Sequence, residues 1–275
     1  EQKYLEPIHT SARVLAGRFS PVTGVIRSWD FVRKGRDWKY PVIIDNMMNL
    51  ELLFWATQAT GDSTFYKVAV THADTTMKNH FRPDYSSYHV VDYDTISGKR
   101  IAQQTHQGYA DSSAWARGQA WGLYGYTVCY RETKDPKYLA QADQIAAYIL
   151  SRSNQTEDLI PYWDYDAPNI PNEPRDVSAA TVSASALYEL STYSADSLKY
   201  RAVADSIINN LSKSYLVAPG TMHGFLLRSS TGHKPNGSEI DVPIVYADYY
   251  FLEALLRKQR LENGQPVVGG VLTRE

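Results

Sequence analysis

A short pattern that occurs three times along the chain constrains the fold more than any other feature. Each copy, at 61–66, 134–139 and 195–200, places an aspartate three or four residues before an aromatic residue. An alanine-containing amphipathic stretch follows each copy. Aspartate suits a helix N-cap, because its carboxylate accepts backbone N–H bonds that the first helical turn leaves unpaired. The pattern therefore predicts helices over 63–80, 136–152 and 197–214.

A second kind of helical stretch precedes each of these amphipathic helices. Such stretches cover 46–60, 113–133 and 178–194, and a further one covers 245–258. They are apolar around most of their circumference, which is typical of buried helices. Each unit is thus a buried inner helix, a short turn and an outer amphipathic helix. With a helix over 1–17, eight principal helices are expected to form an all-α toroid of αα-hairpins whose loops gather over one end.

The start of the chain resembles the middle of a repeat. Residues 1–5 match 135–139, which would be an outer helix without its inner partner. Stacked helical pairs cannot bury their faces alone. We therefore expect residues 1–275 to form a single, incomplete α/α toroid domain from which upstream hairpins are missing.

Composition narrows the classes of function. The chain has 275 residues, a formal net charge of -2 and 43% hydrophobic residues, which fits a globular protein without a broadly basic surface for nucleic acid. No apolar run is long enough to span a membrane. The 21 Tyr and 6 Trp combine flat apolar faces with polar tips, and such residues suit sugar rings. One cysteine, Cys129, and no visible targeting segment lead us to expect the bacterial periplasm or cytoplasm.

Asp45 is the leading candidate for acid–base chemistry. It follows the apolar run 41–44 and begins an inner helix. Two roles are open at this position: an N-cap, or a carboxyl that faces a central cavity. A helix N-terminus favours the ionised form of a carboxyl. Asp45 would therefore need burial or a neighbouring carboxylate to raise its pKa before it could donate a proton.

Arg117 and Trp121 form a second cluster with functional residue types. They lie four positions apart and so share one face of a largely buried helix. A buried arginine needs an anionic partner. That partner is either an internal acid or a substrate carboxylate, which the guanidinium matches in shape. Trp121 is either a stacking wall for a sugar or part of the core.

The histidines carry weaker signals. His89 lies in a strand-like loop, where a lone histidine is more often a surface residue, and His72 and His80 are expected at solvated helix positions. No spacing of His, Cys, Asp or Glu predicts a metal site, and no cofactor-binding motif is present, so no cofactor is expected.

The loop 228–234 combines hydroxyls, a glycine and cations. Backbone N–H groups around a glycine, together with Ser229 and Lys234, could hold an anion. An ordinary polar hairpin turn explains the same residues.

Three strings together resemble the unsaturated glucuronyl hydrolases of glycoside hydrolase family 88. They are Asp-Asn-Met-Met-Asn-Leu at 45–50, Thr-His-Gln-Gly-Tyr at 105–109 and Trp-Ala-Arg-Gly-Gln-Ala-Trp at 115–121, and the segment 246–255 is similar as well. The resemblance extends to about Lys258. It implies an (α/α)6 barrel, of which this chain would cover roughly the C-terminal two-thirds. It assigns the catalytic acid/base to Asp45 and substrate contacts to Trp29, His89, Gln107, Arg117 and Trp121, and it associates the loop of Ser229 and Lys234 with sulfated substrates.

The resemblance also implies the chemistry. Family members remove a terminal 4,5-unsaturated uronic acid from oligosaccharides of glycosaminoglycan type that polysaccharide lyases have produced. An acid protonates C4 of the enol ether, water adds at C5, and the hemiketal opens with loss of the glycosidic bond. A second aspartate belongs to a His-Asp-x-Gly-Phe-like stretch of the family, which this sequence does not contain.

Two other functions stay open. Unsaturated rhamnogalacturonyl hydrolases share the barrel and the Trp-Ala-Arg-Gly string, although Gln119-Ala120 and Asn46-Met47-Met48 favour the glucuronyl group. A non-catalytic helical-repeat protein that binds carbohydrate would need no carboxyl in a cavity. The expected partner is an unsaturated oligosaccharide, with no nucleic acid and no membrane span, and the oligomeric state is left open.

Overall fold

Eight α-helices dominate the chain in the computed structural model, which describes residues 2–31, 35–152 and 156–269. The number of principal helices agrees with the prediction for this described part. The predicted limits of the three outer helices agree as well. The helices are α1 (Leu5–Ala16), α2 (Leu50–Thr60), α3 (Ser63–His80), α4 (Ala116–Thr133), α5 (Pro136–Arg152), α6 (Val177–Leu190), α7 (Ser197–Ser214) and α8 (Val245–Glu262).

Two of the inner helices, α4 and α6, are buried as their sequences predict, whereas the inner helices α2 and α8 bury only part of their surface. Every residue of α6, and every residue of α4 from 116 to 129, is buried. The outer helices α3, α5 and α7 bury one face each. Helix α8 packs against α6 but leaves one stripe uncovered: Val245, Tyr249, Leu252 and Leu256 are 69%, 59%, 53% and 45% exposed.

Five short strands lie beside the helical core. β1 (Phe19–Ser20) pairs with β2 (Val25–Ile26), and β3 (Pro41–Ile43), β4 (Val90–Tyr93) and β5 (Arg100–Gln104) form an antiparallel sheet in that order. The sheet has a small apolar cluster of its own, which includes Val42 and Val91. Ile43 pairs with Val90, so the residues beside this end of the ladder come close together.

The predicted aspartate caps are confirmed at two of three helices. Asp62 accepts the Thr64 N–H at 2.8 Å, and Asp135 accepts the Lys137 N–H at 3.1 Å. Asp196 makes no such bond, so its predicted capping role is wrong. Its φ of -82° and ψ of 23° are not the extended values of a capping residue, so its carboxylate is not directed at the first turn.

His72 and His80 are fully buried, so the expectation that they are solvated is wrong. His72 Nδ1 accepts the Ile26 N–H at 3.0 Å, and His80 Nε2 lies 3.1 Å from the Val42 carbonyl oxygen. Both rings lie on the inward face of α3 and connect it to strands. Burial lowers the pKa of His72 to about 3 and that of His80 to about 4, so both rings are neutral near pH 7.

A buried ionic cluster connects three inner helices. Glu189 of α6, whose side chain is 1% exposed, accepts from Arg131 of α4 at 2.9 Å and from Arg257 of α8 at 2.9 Å. Because removal of one partner would leave a buried charge uncompensated, this cluster fixes how the three helices pack.

A glycine-lined groove on α4 receives the segment that precedes α2. The 3-10 helix Ile44–Asn49 lies there, so the inner helix predicted over 46–60 is α-helical only from Leu50. A Cβ added to Gly125 would lie 2.4 Å from Met47 Cβ, closer than real atoms approach. The missing side chain therefore lets the 3-10 helix, which carries Asp45, lie directly on α4.

We predict that Gly125→Ala destabilises the protein. The added methyl would collide with the Met47 Cβ, which cannot move away without a shift of the backbone. We expect a loss of stability of about 1–3 kcal/mol after the gain in helix propensity is included. Gly122→Ala on the same helix is the control, since its new methyl meets the edge of the Phe81 ring at 3.2 Å. Urea unfolding measures the free energy of unfolding of both variants. Equal stability of the two would contradict the packing argument.

Candidate active site

Asp45 and His89 are neighbours because β3 pairs with β4. The Ile44 N–H donates to the His89 carbonyl oxygen at 3.0 Å, immediately after the last pair of the ladder. Asp45 Oδ2 lies 3.7 Å from His89 Nε2. The His89 side chain is 1% exposed, whereas that of Asp45 is 28% exposed. His89 is therefore no surface residue, and Asp45 remains accessible to a small molecule.

The protonation of His89 follows from its hydrogen bonds. Its Nδ1 accepts the backbone N–H groups of His106 at 3.1 Å and Gln107 at 3.0 Å. A ring nitrogen that accepts hydrogen bonds carries no proton, so the neutral ring holds its proton on Nε2, which faces Asp45. Burial, together with the nearby charges of His106 and Arg117, lowers the pKa of His89 well below its usual value. His89 is thus a neutral donor beside Asp45.

The Asp45 carboxyl is suited to proton transfer. Burial raises its pKa to about 6, and the Arg117 charge limits the rise. Asp45 Oδ2 and Trp121 Nε1 have no hydrogen-bond partner among the described residues. The capping role left open for Asp45 is not observed, since neither the 3-10 helix nor α2 has a side-chain cap. A carboxyl with this pKa can donate a proton in mildly acidic solution and accept one back.

Arg117 has an internal anionic partner. Its Nη1 donates to Asp176 Oδ2 at 2.7 Å, Ser178 Oγ at 3.2 Å and the Thr231 carbonyl oxygen at 2.8 Å. Its Nη2 donates to the Gly232 carbonyl oxygen at 2.7 Å. Of the two kinds of partner considered for this arginine, the structure shows the internal acid. The guanidinium also holds the loop that contains Thr231 and Gly232.

Aromatic rings surround Arg117 and Trp121. The Arg117 guanidinium lies 4.5 Å from the Trp115 ring centroid and 5.4 Å from that of Tyr246. Tyr246 and Tyr250 contact the Trp121 ring edge to face, with centroids 6.0 and 5.6 Å away. Sequence reasoning did not identify Trp115 or Tyr246, although Trp115 belongs to the string that contains Arg117.

Gln107 lies on a loop that two other segments hold in place. Its Nε2 donates to the Gly232 carbonyl oxygen at 2.8 Å, so Gln107 and Arg117 share this acceptor. Buried Asp164 accepts the Tyr109 N–H at 2.8 Å and the Ser113 hydroxyl at 2.7 Å. Asp164 therefore anchors the loop from the opposite side.

Trp29 joins the site through aromatic contacts. Its ring centroid lies 5.6 Å from that of Trp38 and 6.3 Å from that of His106. His106 Nε2 in turn lies 3.1 Å from His233 Nε2, on the loop that carries Gly232. These contacts place Trp29 at the border of the cluster around His89, and nothing in the sequence indicated the histidine pair.

Ser229 and Lys234 flank the part of their loop that contacts the site. Ser229 has a φ of 67°, and its carbonyl oxygen accepts the Val177 N–H at 3.2 Å. Lys234 Nζ lies 2.5 Å from Glu173 Oε2. The described contacts connect this loop to Arg117 and Gln107 through its carbonyl oxygens, and the predicted anion-binding role of the two side chains stays a prediction.

Two kinds of feature are absent from the described residues. No helix in this part of the chain is long and apolar enough to cross a membrane. No group of three or more His, Cys, Asp or Glu side chains within the same residues is arranged to hold a metal ion.

The fold and the site together define a class of protein. It is an α/α toroid in which loops at one end surround a carboxyl, a neutral histidine and several aromatic rings. Flat rings beside hydrogen-bonding groups are the combination that suits a sugar.

Comparisons with known proteins agree with this class, although no model of a known protein family matches the chain. The chain is 50% identical over 261 residues to an unsaturated glucuronyl hydrolase of Formosa agariphila, which covers 94% of this chain and 64% of that protein. It is 36% identical over 263 residues to an unsaturated glucuronyl hydrolase of Bacillus sp. strain GL1, covering 92% of this chain and 68% of that one. The chain thus spans less than two thirds of the Formosa relative.

A solved structure shows the same fold. The crystal structure of an unsaturated glucuronyl hydrolase specific for heparin superimposes with a TM-score of 0.92 at 50% identity, over 96% of this chain and 70% of that one. The chain belongs to the unsaturated glucuronyl hydrolase family. The resemblance and the all-α toroid fold predicted from the sequence are confirmed.

We predict that Arg117→Lys destabilises the protein and loosens the loop at Gly232. A lysine keeps the charge but cannot direct donors at Asp176 and two carbonyl oxygens together, so the loss is expected to reach about 2–4 kcal/mol. Denaturant unfolding measures the stability of the variant, and amide hydrogen exchange measures how often the loop at Gly232 opens.

Arg152→Lys is the control for this substitution. Arg152 forms a half-exposed ion pair with Asp166, which contributes about 0–1 kcal/mol. If Arg117→Lys lowered the free energy of unfolding no more than Arg152→Lys, the buried Arg117 guanidinium would not hold the loop.

Proposed function

We propose that this protein is a glycosidase that removes a terminal 4,5-unsaturated uronic acid from lyase-generated oligosaccharides of glycosaminoglycan type. The observation that carries the proposal is the Asp45 carboxyl, with its raised pKa, beside the neutral His89 ring. Two findings support the substrate class: family membership, and structural similarity to an unsaturated glucuronyl hydrolase that is specific for heparin. We propose the bacterial periplasm or cytoplasm as its location, because the one thiol, Cys129, is buried and unpaired.

In this proposal Asp45 is the acid in the first step and the base in the second. The protonated carboxyl gives its proton to C4 of the C4=C5 double bond, and positive charge develops at C5, where the ring oxygen stabilises it. Asp45 then takes a proton from the water that adds to C5. His89 Nε2 lies 3.7 Å from Asp45 Oδ2, too far for a hydrogen bond, and the dipole of its N–H group stabilises the carboxylate between the steps.

The glycosidic bond is lost without direct attack on the anomeric carbon. Hydration leaves a hydroxyl on C5, which makes C5 a hemiketal. Opening of this hemiketal yields a C5 ketone and leaves C1 as a hemiacetal, which releases the rest of the oligosaccharide as an alcohol. The rules that relate the separation of two carboxylates to retention or inversion therefore do not apply.

The other residues of the site bind and orient the sugar in this proposal. Trp29 and Trp121 supply flat faces, and Gln107 supplies an amide beside the Gly232 carbonyl. Arg117 orients the carbonyl oxygens of its loop and brings positive charge close to Asp45. Ser229 and Lys234 border the position of the next sugar.

We expect Asp45→Asn to abolish turnover and to preserve both the fold and sugar binding. Asparagine has the same shape but no proton to transfer, and general acid–base catalysis is worth about 100- to 10,000-fold in rate. The assay follows the ultraviolet absorbance of the C=C bond with lyase-generated disaccharides.

Asp74→Asn is the matched control for Asp45→Asn. Asp74 pairs with Lys137 between outer helices, so this change leaves turnover unaltered. Full turnover by Asp45→Asn would instead show that the reaction does not depend on the Asp45 carboxyl.

The pH dependence should follow the titration of Asp45. Above its pKa of about 6 the carboxyl loses the proton that it must donate, so kcat/KM falls about tenfold per pH unit at higher pH. A value of kcat/KM that stays constant from pH 6 to pH 8 would exclude Asp45 as the acid.

Buried histidines limit activity on the acid side of the pH profile, because their protonation destabilises the fold. The pKa values of His72 and His80 are lowered in the folded protein, so below about pH 6.5 the unfolded chain binds more protons than the folded one. The neutral buried rings contribute fully to the stability of the fold above that pH. This contribution is lost as the pH falls towards 3–4, because the unfolded chain takes up the protons. Unfolding measured across this range separates the loss of fold from the titration of Asp45.

A further inference from the structure

Lys234 and Glu173 form an ion pair at the border of the site. The Lys234 Nζ and Glu173 Oε2 atoms are 2.5 Å apart. The Glu173 side chain is 1% exposed, whereas that of Lys234 is 31% exposed. The negative partner is therefore enclosed in protein, and only the positive partner contacts solvent.

Neighbouring groups fix the position of the Glu173 carboxylate. The Trp163 indole N–H donates to its Oε2 at 2.8 Å, and the Asn169 N–H donates to its Oε1 at 3.3 Å. Burial alone would raise the pKa of Glu173, but the hydrogen bonds from Lys234 and Trp163 outweigh it and lower the pKa. Glu173 is thus ionised at neutral pH, and it holds the Lys234 ammonium 5.2 Å from the centroid of the Trp163 ring.

The ion pair lies close to the residues that hold the sugar. Gly232, two residues before Lys234, gives its carbonyl oxygen to both Arg117 and Gln107. Two residues of backbone span at most about 7 Å. The ring of the intervening His233 lies 4.5 Å, between centroids, from that of His106. The backbone of Lys234 therefore lies within about 7 Å of the residue that Gln107 contacts, a separation over which a charge on Lys234 acts on a sugar beside Gln107.

We propose that Glu173 is a specificity-determining residue, whose buried carboxylate neutralises Lys234 and thereby limits the preference of the site for sulfated sugars. The proposal rests on the function proposed above and concerns the sugar that follows the unsaturated uronic acid. An unpaired ammonium attracts a sulfate group through its full charge, whereas a neutral pair offers only the remaining N–H donors of Lys234. The preference for a sulfated ligand should therefore follow the summed charge of the two side chains.

Four proteins test this dependence on charge: the parent, Glu173→Gln, Lys234→Met and the double variant. All carry Asp45→Asn so that the ligands are not consumed. Calorimetry gives the Kd of each protein for unsaturated disaccharides with and without a sulfate. The expected preference for the sulfated ligand rises about tenfold in Glu173→Gln, falls in Lys234→Met, and returns to within about twofold of the parent in the double variant. High salt should reduce all of these differences.

Asp205→Asn provides a matched control. Lys258 Nζ lies 2.5 Å from Asp205 Oδ1 and 3.6 Å from Glu262 Oε1, so this change removes the nearer of the two acidic partners of a lysine. Lys258 is twelve residues beyond Tyr246 on α8, about 18 Å along the helix axis. The sulfate preference should be unchanged in this variant.

The outcomes separate this inference from the proposed function. A preference that Glu173→Gln leaves unchanged or lowers, or one that the double variant does not restore, would overturn the role of Glu173. Since glutamine has the shape of glutamate, a native near-ultraviolet circular dichroism spectrum excludes misfolding as the cause. Turnover by the protein with Asp45 intact is measured in parallel. Absence of turnover with the expected binding pattern overturns the proposed function alone, and absence of all disaccharide binding overturns both.

Discussion

A buried guanidinium between α4 and α6 is the interaction on which the site depends. Arg117 and Asp176 have side chains that are 2% and 0% exposed, and removal of two such charges from water costs several kcal/mol per ion. The cost is offset only when every donor finds a well-placed acceptor. Asp176 also caps α6 through the Ser178 N–H. The carbonyl oxygens of Thr231 and Gly232 supply acceptors that the two helices do not provide, so the position of their loop follows from the requirements of the arginine.

Much of the fold could be predicted because its signals are local. An aspartate before an amphipathic stretch sets the start of a helix within a few residues of sequence, and this held at Asp62 and Asp135. It failed at Asp196, where the backbone angles and not the residue type decide whether the carboxylate reaches the first turn. The start of α2 was missed for a different reason. The close contact of Gly125 with Met47 joins segments that are distant in sequence, and no local pattern reports it.

The sequence named candidate residues of the site more readily than the groups that those residues contact. Short strings predicted Asp45, Gln107 and Arg117 as site residues, and their functional roles stay predictions. The structure places Asp45 and the Gln107 N–H beside His89, and the Gln107 and Arg117 side chains at the Gly232 carbonyl oxygen. The acceptors of Arg117 lie 59 residues away at Asp176 and 115 residues away at Gly232, so the sequence left an internal acid and a substrate carboxylate equally open. His89 has the character of a loop residue in sequence. Its ring is buried against Trp115, 4.5 Å away between centroids, and against the backbone of His106 and Gln107. Its role in chemistry stays a prediction.

The carbonyl oxygen of Gly232 accepts hydrogen bonds from two side chains, Gln107 and Arg117. The loop that carries Gly232 is therefore not a module that can be exchanged freely. A loop transplanted from a relative would bring its own ligand selectivity only if it also presented a main-chain oxygen at the same place. Laboratory or natural diversification of this loop should consequently tolerate new side chains at its tip, and reject insertions or deletions that shift its register near Gly232.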